Sequence, residues 1–293
     1  MIVDVHTHIP THRDRVPAED LRSNPLIGGG VRLTGSVEEY LEDLAPVDRA
    51  IVFGITPTPG RPEPPILDWR RGWPEDMNQN DIAAEVARLA PDRLIPFMSL
   101  HPLQHDVDEE YDRCVGELGC RGIKLSLSYQ VVDPLGMEAF RLFSRLEQDG
   151  LPVMFHQGAS ASSDARLTYA HPLVMDQVAI AFPRLKIVLA HMAHPWYADC
   201  VTVVRKHPNM WADVSGLPFR PWTGWNGMRV FHEYGITNKI LLGSDWPLRK
   251  PQDTIDGLRE LSRFAKDHNL PEIPEREIEG IINRDSLEVL DLE

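Results

Sequence analysis

Five side chains that can bind a divalent metal ion stand at or near the ends of short apolar runs in the sequence. They are His6, His8, His156, His191 and Asp245. Imidazole nitrogens and carboxylate oxygens are common ligands of zinc in proteins. His6 and His8 are two residues apart, and on a β-strand such residues point to the same side. This pair therefore predicts half of a metal site, which the other side chains complete if the fold brings the run ends together.

The apolar runs predict the elements that position these residues. Each run is about as long as a strand and rich in Val, Ile and Leu, which is typical of strands buried on both faces. The segments between the runs have helical spacing and stop at Gly or Pro, as 137–149 does before Gly150. The eight runs are 2–8, 50–56, 94–100, 122–128, 152–158, 186–191, 210–215 and 239–245.

Strands that alternate with helices build a parallel sheet. We therefore predict an α/β fold, a (β/α)8 TIM barrel, as a single domain over residues 1–293, with a doubly wound open sheet as the alternative. In a barrel, the C-terminal ends of the strands surround one mouth, where the active sites of barrel enzymes lie. That arrangement would gather the five metal-binding side chains although they are far apart in sequence.

Three long segments follow apolar runs and are expected to cover the mouth as extended loops. They span 9–35, 57–80 and 216–227, and they contain Arg13, Arg15, Arg22, Arg32, Arg61, Arg70, Arg71 and Arg220. Guanidinium groups bind carboxylates with two parallel hydrogen bonds, so this set predicts a small anionic substrate. Arg220 is the best placed, because it follows the seventh run. For each arginine the alternative is an ordinary solvated loop charge.

The composition limits the partners and the compartment. Thirty basic and 44 acidic residues give a net charge of −14, which disfavours nucleic acid and anionic membranes as partners. Three cysteines are too few, and odd in number, for a disulfide framework, which favours a reducing compartment. The start MIVDVHTH has no features of a signal peptide, and no apolar stretch approaches the roughly 18 residues of a membrane span. We expect a cytoplasmic protein, and the sequence leaves a homodimer open.

Several motifs together resemble a known family. HTH at residue 6, FHQG at 155, LAHM at 189, GSDWP at 243 and the closing NRDSLEVL resemble the amidohydrolase superfamily. The resemblance is closest to the amidohydrolase-related branch that includes aminocarboxymuconate-semialdehyde decarboxylase. It spans the chain and implies a metal-dependent barrel enzyme, either a hydrolase or a decarboxylase that needs no oxidant.

The resemblance also implies roles for individual residues. His6, His8, His156 and Asp245 would hold one divalent ion, zinc in the first place and manganese or cobalt as alternatives, with water in the open position. Asp245 would also move a proton, and His191 would contact the water and the substrate rather than the ion.

Other candidate site residues have more than one interpretation. Lys124 lies in the fourth run, where some members of the superfamily carry a carbamylated lysine that bridges two metal ions. It could instead meet a substrate carboxylate or balance charge beside the ions, and it departs from the pattern of the decarboxylase that the motifs resemble. His194 could contact substrate or lie on the surface before Pro195. Trp196 and Trp246 could wall an aromatic substrate or pack in the core.

The sequence thus favours a hydrolase of an ester, lactone or amide with a carboxylate-bearing substrate. A decarboxylase of an unsaturated or aromatic carboxylate with the same metal site is the alternative, and a non-catalytic metal-dependent binding barrel is less favoured. A metal phosphoesterase would need more ligands after the first run than Ile9, Pro10 and Thr11 offer.

Overall fold

Parallel strands form the centre of the molecule. The computed structural model describes residues 1–20, 31–60, 70–160 and 162–293. Within these ranges the chain forms eight strands, and each overlaps one of the predicted apolar runs. They are β1 (Val3–His8), β2 (Arg49–Phe53), β3 (Leu94–Pro96), β4 (Ile123–Leu125), β5 (Val153–Phe155), β6 (Ile187–Leu189), β7 (Met210–Asp213) and β8 (Ile240–Leu241). The predicted positions of the strands are therefore confirmed.

The strands close into a ring. β1, β2 and β3 pair in parallel, and β4 to β8 pair in parallel in chain order. Backbone hydrogen bonds join the two sets on both sides. The N–H of Met98, after β3, donates to the carbonyl of Gly122, before β4, and the N–H of Val5 in β1 donates to the carbonyl of Leu242, after β8, each at 2.9 Å. This confirms the predicted barrel and excludes the open sheet.

Helices follow the strands and cover the barrel. In the described residues they are α1 (Val37–Asp43), α2 (Gln79–Leu89), α3 (Val107–Gly116), α4 (Leu127–Gln130), α5 (Met137–Asp149), α6 (Pro172–Ala181), α7 (Tyr197–Lys206), α8 (Pro221–Glu233), α9 (Pro251–Asp267), α10 (Glu275–Ile282) and α11 (Ser286–Leu290). None of these described helices has both the length and the apolar character that crossing a membrane requires.

The helix boundaries follow local rules in α5 and differ from the prediction in α8. α5 ends where predicted, because Gly150 adopts the left-handed conformation (φ 70°) that stops a helix. The prediction of a loop over 216–227 is wrong in its second half, because α8 already begins at Pro221. Proline fixes φ near the helical value and lacks only an N–H that the first helical turn leaves unbonded, so it starts helices well.

Two apolar layers hold the barrel together. One cluster lies between the strands and the helices, where α5 contributes Ala139, Leu142, Phe143 and Leu146 from one face. A second cluster takes side chains from strands all around the ring, so it fills the barrel interior; it includes Val5, Phe53, Phe97, Met154 and Val188. Leu287 and Leu290 of α11 belong to this cluster as well. Together the clusters fix the strand ends that carry the site residues.

The predicted arginine-rich loops are only partly described, and Arg22 and Arg61 lie outside the described residues. Three of the other arginines form ion pairs with nearby carboxylates: Arg13 with Glu85, Arg32 with Glu39 and Arg71 with Asp20. These three therefore act as ordinary loop and helix charges, whereas Arg220 lies elsewhere, as described below.

Lys239 joins α7 to the start of β7 at the N-terminal end of the barrel. Its ammonium group donates to the carbonyl oxygens of Val204 (3.1 Å), His207 (2.6 Å), Pro208 (3.1 Å) and Met210 (3.3 Å). Val204 lies in the last turn of α7, where carbonyls lack an intrahelical N–H partner, and the other three carbonyls follow the helix. One lysine thus ties the end of α7 to the start of β7.

We expect Lys239→Met to lower the free energy of unfolding by about 1.5–3 kcal/mol, the range for hydrogen bonds to charged groups. Urea unfolding followed by circular dichroism measures the change. Lys206→Met on α7 is the control, because its exposed ion pair with Asp176 should contribute less than about 1 kcal/mol. Equal losses in the two variants would contradict the role of Lys239.

Candidate metal centre

His6, His8 and Asp245 meet at the mouth of the barrel. Oδ1 of Asp245 lies 3.2 Å from Nε2 of His6 and 3.1 Å from Nε2 of His8, and all three side chains are buried. Burial alone would raise the pKa of Asp245, but the charge of His6 and the hydrogen bonds from His6 and His8 hold that pKa well below its ordinary value. The group thus combines two imidazoles with an ionised carboxylate.

Irregular backbone at the two ends of this group sets its geometry. The register between β1 and β2 shifts within the strands. Asp4 pairs with Ala50 and Thr7 pairs with Val52, so β1 contains one more residue than β2 between the two pairs. Such bulges redirect side chains and are common beside active sites. Asp245 has φ 66°, a conformation that non-glycine residues rarely adopt, and its N–H donates to the carbonyl of His6 at 2.8 Å. This bond fixes the Asp245 backbone beside β1.

Asp213 at the end of β7 orients the centre, although the sequence analysis did not single it out. Its Oδ2 accepts a hydrogen bond from Nδ1 of His6 at 2.8 Å, and its Oδ1 accepts from the backbone N–H groups of His191 and Ser215, each at 3.0 Å. Burial opposes its ionisation, but the charge of His6, the hydrogen bond from His6 and the charge of Lys124 together keep the pKa of Asp213 below its ordinary value. Because Asp213 holds Nδ1 of His6, Nε2 is the nitrogen that faces the centre.

The signal for Asp213 was present in the sequence. It is an acidic residue in the seventh apolar run, which is the same pattern that identified Asp245. His6, His191 and Asp213 form a second group of possible metal ligands in the described residues. However, the oxygens of Asp213 already accept hydrogen bonds from His6, His191 and Ser215, so this group is better understood as support for His6.

His191 follows β6 and lies against the same network. Its Nδ1 is 2.8 Å from Oγ of Ser215 and 3.2 Å from the Ser215 carbonyl oxygen, which can only accept. The hydroxyl of Ser215 lies close to Oδ1 of Asp213 and donates its proton there. Nδ1 of His191 is therefore the donor, which leaves Nε2 as an acceptor. Burial lowers the pKa of His191 to about 4, so the ring is neutral at pH 7.

His156 lies beside the three-residue group rather than within it. Its ring centroid is 5.1 Å from that of His191 and 4.8 Å from that of Tyr129. Its Nε2 is 3.2 Å from the carbonyl oxygen of Ala159. The structure therefore places the predicted fourth ligand at the mouth, next to His191, with Nε2 hydrogen-bonded to the loop after β5.

Lys124 reaches the centre from β4. Its Nζ is 3.2 Å from Nε2 of His6, and the residue is only 1% exposed. Burial lowers the pKa of this ammonium group to about 8, and the carboxylates of Asp213 and Asp245 limit the shift. Lys124 thus faces into the barrel, as predicted, and balances part of the negative charge of the two carboxylates.

Trp246 and His194, two of the predicted substrate contacts, lie in different surroundings. Of the two interpretations of Trp246, the structure shows core packing: its buried indole packs on Tyr40 and its N–H donates to Asp43 at 3.0 Å. It belongs to the apolar cluster around α1 and α2 instead. His194 is half-buried, and its Nδ1 is 2.6 Å from the hydroxyl of Tyr197.

Arg220 and Trp196 lie on the loops after β7 and β6. A guanidinium nitrogen of Arg220 donates to the carbonyl of Gly216 at 2.7 Å. Gly216 lies beside the centre, since a Cβ at this position would stand only 3.7 Å from Nδ1 of His191. Arg220 is therefore separated from the centre by Gly216. The half-buried indole of Trp196 lies 4.8 Å from the ring of His171.

A comparison of the sequence with protein families identifies the chain. The family model described as Amidohydrolase matches residues 3–284. The chain belongs to the amidohydrolase family. This confirms the resemblance carried by the HTH and GSDWP motifs, and it identifies the protein as an enzyme. No curated protein sequence matches the chain significantly.

Solved structures share the fold of this amidohydrolase at low sequence identity. An uncharacterised TIM-barrel protein from Bordetella bronchiseptica has a TM-score of 0.72 and 18% identity, over 99% of this chain and 98% of that one. A probable 2-pyrone-4,6-dicarboxylic acid hydrolase from Acinetobacter baumannii, with citric acid bound, has a TM-score of 0.63 and 16% identity, over 99% of both chains.

A decarboxylase has the same fold. The dihydroxybenzoic acid decarboxylase from a Polaromonas species, with bound manganese and the inhibitor 2-nitroresorcinol, has a TM-score of 0.63 and 17% identity. The likeness covers 99% of this chain and 97% of that one. These likenesses independently identify the fold as a TIM barrel.

The role of Asp213 leads to a test on metal affinity. Asp213→Asn should weaken the binding of a divalent metal by about 10- to 100-fold, the usual effect of removing the partner of a metal-binding histidine. Competition with a fluorescent chelator measures the affinity. Asp176→Asn, which removes a surface carboxylate, is the matched control and should leave the affinity unchanged. Equal affinity in Asp213→Asn and the wild type would contradict the proposed support of His6.

Proposed function

We propose that this amidohydrolase hydrolyses an ester, lactone or amide bond of a small carboxylate-bearing substrate with the help of one divalent metal ion. The observation that carries the proposal is the convergence of His6, His8 and Asp245 in one buried group. The donor set fits such an ion, because Asp213 holds the proton of His6 on Nδ1 and turns Nε2 toward the centre.

In this proposal His6, His8 and Asp245 hold the ion and His156 completes the set. Imidazole and carboxylate ligands suit zinc, and manganese or cobalt could take its place. When bound, such an ion polarises a substrate oxygen and brings the pKa of water toward neutrality. Lys124 stabilises negative charge on the substrate, or it is carbamylated and helps to hold a second ion.

Asp245 is proposed to move the proton during hydrolysis. Its Oδ1 faces the two histidines, whereas its Oδ2 lies toward Gly216, where a Cβ would stand 3.9 Å from it. That second oxygen is the one suited to take a proton from the attacking water and to pass it to the leaving group. His191 offers Nε2 as an acceptor and orients the water or the substrate.

Decarboxylation is the second candidate, supported by the decarboxylase with the same fold. The same residues would bind a carboxylate substrate, one carbon would be protonated, and the bond to CO2 would break. Incubation of the metal-loaded protein with lactones and unsaturated carboxylates in deuterated water distinguishes the two reactions. Hydrolysis releases acid without CO2, whereas decarboxylation releases CO2 and places deuterium on carbon.

Purified protein should contain about one divalent ion per chain, because the proposed set of three histidines and one carboxylate makes one four-ligand site. Elemental analysis of protein prepared without chelator measures the content. Two ions per chain would favour a carbamylated Lys124. Protein free of metal, with no activity gained when zinc or manganese is added, would contradict the proposal.

Asp245→Asn should keep much of the metal but lose turnover by at least about 10²–10⁴-fold at saturating metal, because general acid–base catalysis contributes that much. His191→Asn should behave in the same way. His6→Ala or His8→Ala should lose the ion itself. Metal content and kcat are measured together on each variant.

His232→Asn is the matched control, since this histidine pairs with Glu277 on the outside of the barrel. It should keep both metal and turnover. Near-normal turnover of metal-loaded Asp245→Asn would refute the proposed proton transfer.

A further inference from the structure

Two arginines share one aromatic ring beside the metal centre. The guanidinium carbon of Arg220 lies 4.2 Å from the ring centroid of Phe219, and that of Arg249 lies 4.0 Å from it. Arg220 belongs to the loop after β7 and Arg249 to the loop after β8. Both loops lie at the mouth of the barrel, so two positive charges are held close together there.

Among the described residues, neither of these two charges has an acidic partner in an ion pair. In the described part of the chain, no carboxylate oxygen lies within 4.0 Å of either guanidinium group. The Nε–H of Arg249 is buried and has no hydrogen-bond partner among the described residues. Burial and the charge of Arg249 lower the pKa of Arg220. In a protein with 44 acidic residues, two arginines that share one ring and have no ion-pair partner among the described residues point to an anion that comes from outside.

Arg220 is linked to the metal centre through Gly216. Arg220 donates to the carbonyl of Gly216 at 2.7 Å. A Cβ on Gly216 would stand 3.7 Å from Nδ1 of His191 and 3.9 Å from Oδ2 of Asp245. Gly216 therefore separates Arg220 from the groups proposed to act on the substrate.

We propose that Arg220 and Arg249 form a carboxylate subsite, and that the substrate carries this carboxylate in addition to the group that reacts at the metal centre. The ring of Phe219 holds the two planar guanidinium groups, whose N–H groups are arranged to bind a carboxylate in pairs. The reacting end of the substrate rests on the proposed function, whereas the subsite does not. A lactone with a side carboxylate fits hydrolysis, and a dicarboxylate fits decarboxylation.

Calorimetry with two probes tests the subsite without any turnover. Isophthalate carries two carboxylates on one ring and benzoate carries one, and both are titrated into the zinc-loaded protein at constant ionic strength. The wild type should bind isophthalate about tenfold or more tightly than benzoate. Arg249→Gln should weaken isophthalate binding by about tenfold or more and change benzoate binding by less than about twofold, because a lost charged hydrogen bond has that effect.

The other variants separate the subsite from general effects. Arg263→Gln removes an exposed arginine of α9 and should leave the binding of both probes unchanged. Arg249→Lys keeps the charge but loses the planar guanidinium, so it should fall between the wild type and Arg249→Gln. Equal losses for both probes, or unchanged isophthalate binding in Arg249→Gln, would overturn the subsite.

These outcomes are independent of the reaction. If isophthalate binds as expected but no lactone or carboxylate is turned over, the proposed function fails and the subsite stands. If substrates are turned over while Arg249→Gln binds isophthalate like the wild type, the subsite fails and the proposed function stands.

Discussion

The hydrogen bond between His6 and Asp213 is the contact on which the rest of the metal centre depends. It fixes the ring of His6 and decides which of its nitrogens faces His8 and Asp245. The same carboxylate accepts the backbone N–H of His191, so it connects the ends of β1, β6 and β7. A buried carboxylate without such partners would be strongly unfavourable. The site is therefore a single network, in which each charge depends on its neighbours.

The two ends of the barrel differ in their backbone. At the mouth, His191, Met192, Ala193 and Asp245 adopt left-handed conformations that non-glycine residues rarely take. The strands hold these residues in place through bonds such as that from Asp245 N–H to the His6 carbonyl. At the opposite end, Lys239 satisfies a helix terminus and α11 packs into the interior cluster. Backbone strain is thus present where the chemistry is expected, and Lys239 and α11 provide ordinary stabilising contacts at the other end.

Positive side chains gather at the mouth although the whole molecule is acidic. The protein carries a net charge of −14, yet Lys124, Arg220 and Arg249 lie at or near the metal centre. A local positive charge in a partly buried cleft acts over a short range and attracts small anions despite the overall charge. The arginines of the outer loops do not contribute in this way where they pair with carboxylates, as Arg71 does with Asp20.

The sequence by itself determined the strands, the ends of some helices and the kinds of ligand at the strand ends. These features follow from local patterns: β-branched apolar runs form buried strands, and Gly150 stops α5 wherever that helix packs. Asp213 carried the same signal as Asp245, but only its partner His6, more than 200 residues away, shows what it does. The direction of Trp246 was also open, because an indole can pack on either side of a strand end.

Only the tertiary structure decided such pairings. Gly35 leaves room for the ring of Trp246, which a Cβ at that position would approach to 2.4 Å, and Asp43 accepts its N–H. Likewise, Phe219 unites Arg220 with Arg249 only because the loops after β7 and β8 are neighbours in the closed ring. A local pattern fixes the conformation of a segment, whereas the partner of a side chain depends on which distant segments the barrel brings beside it.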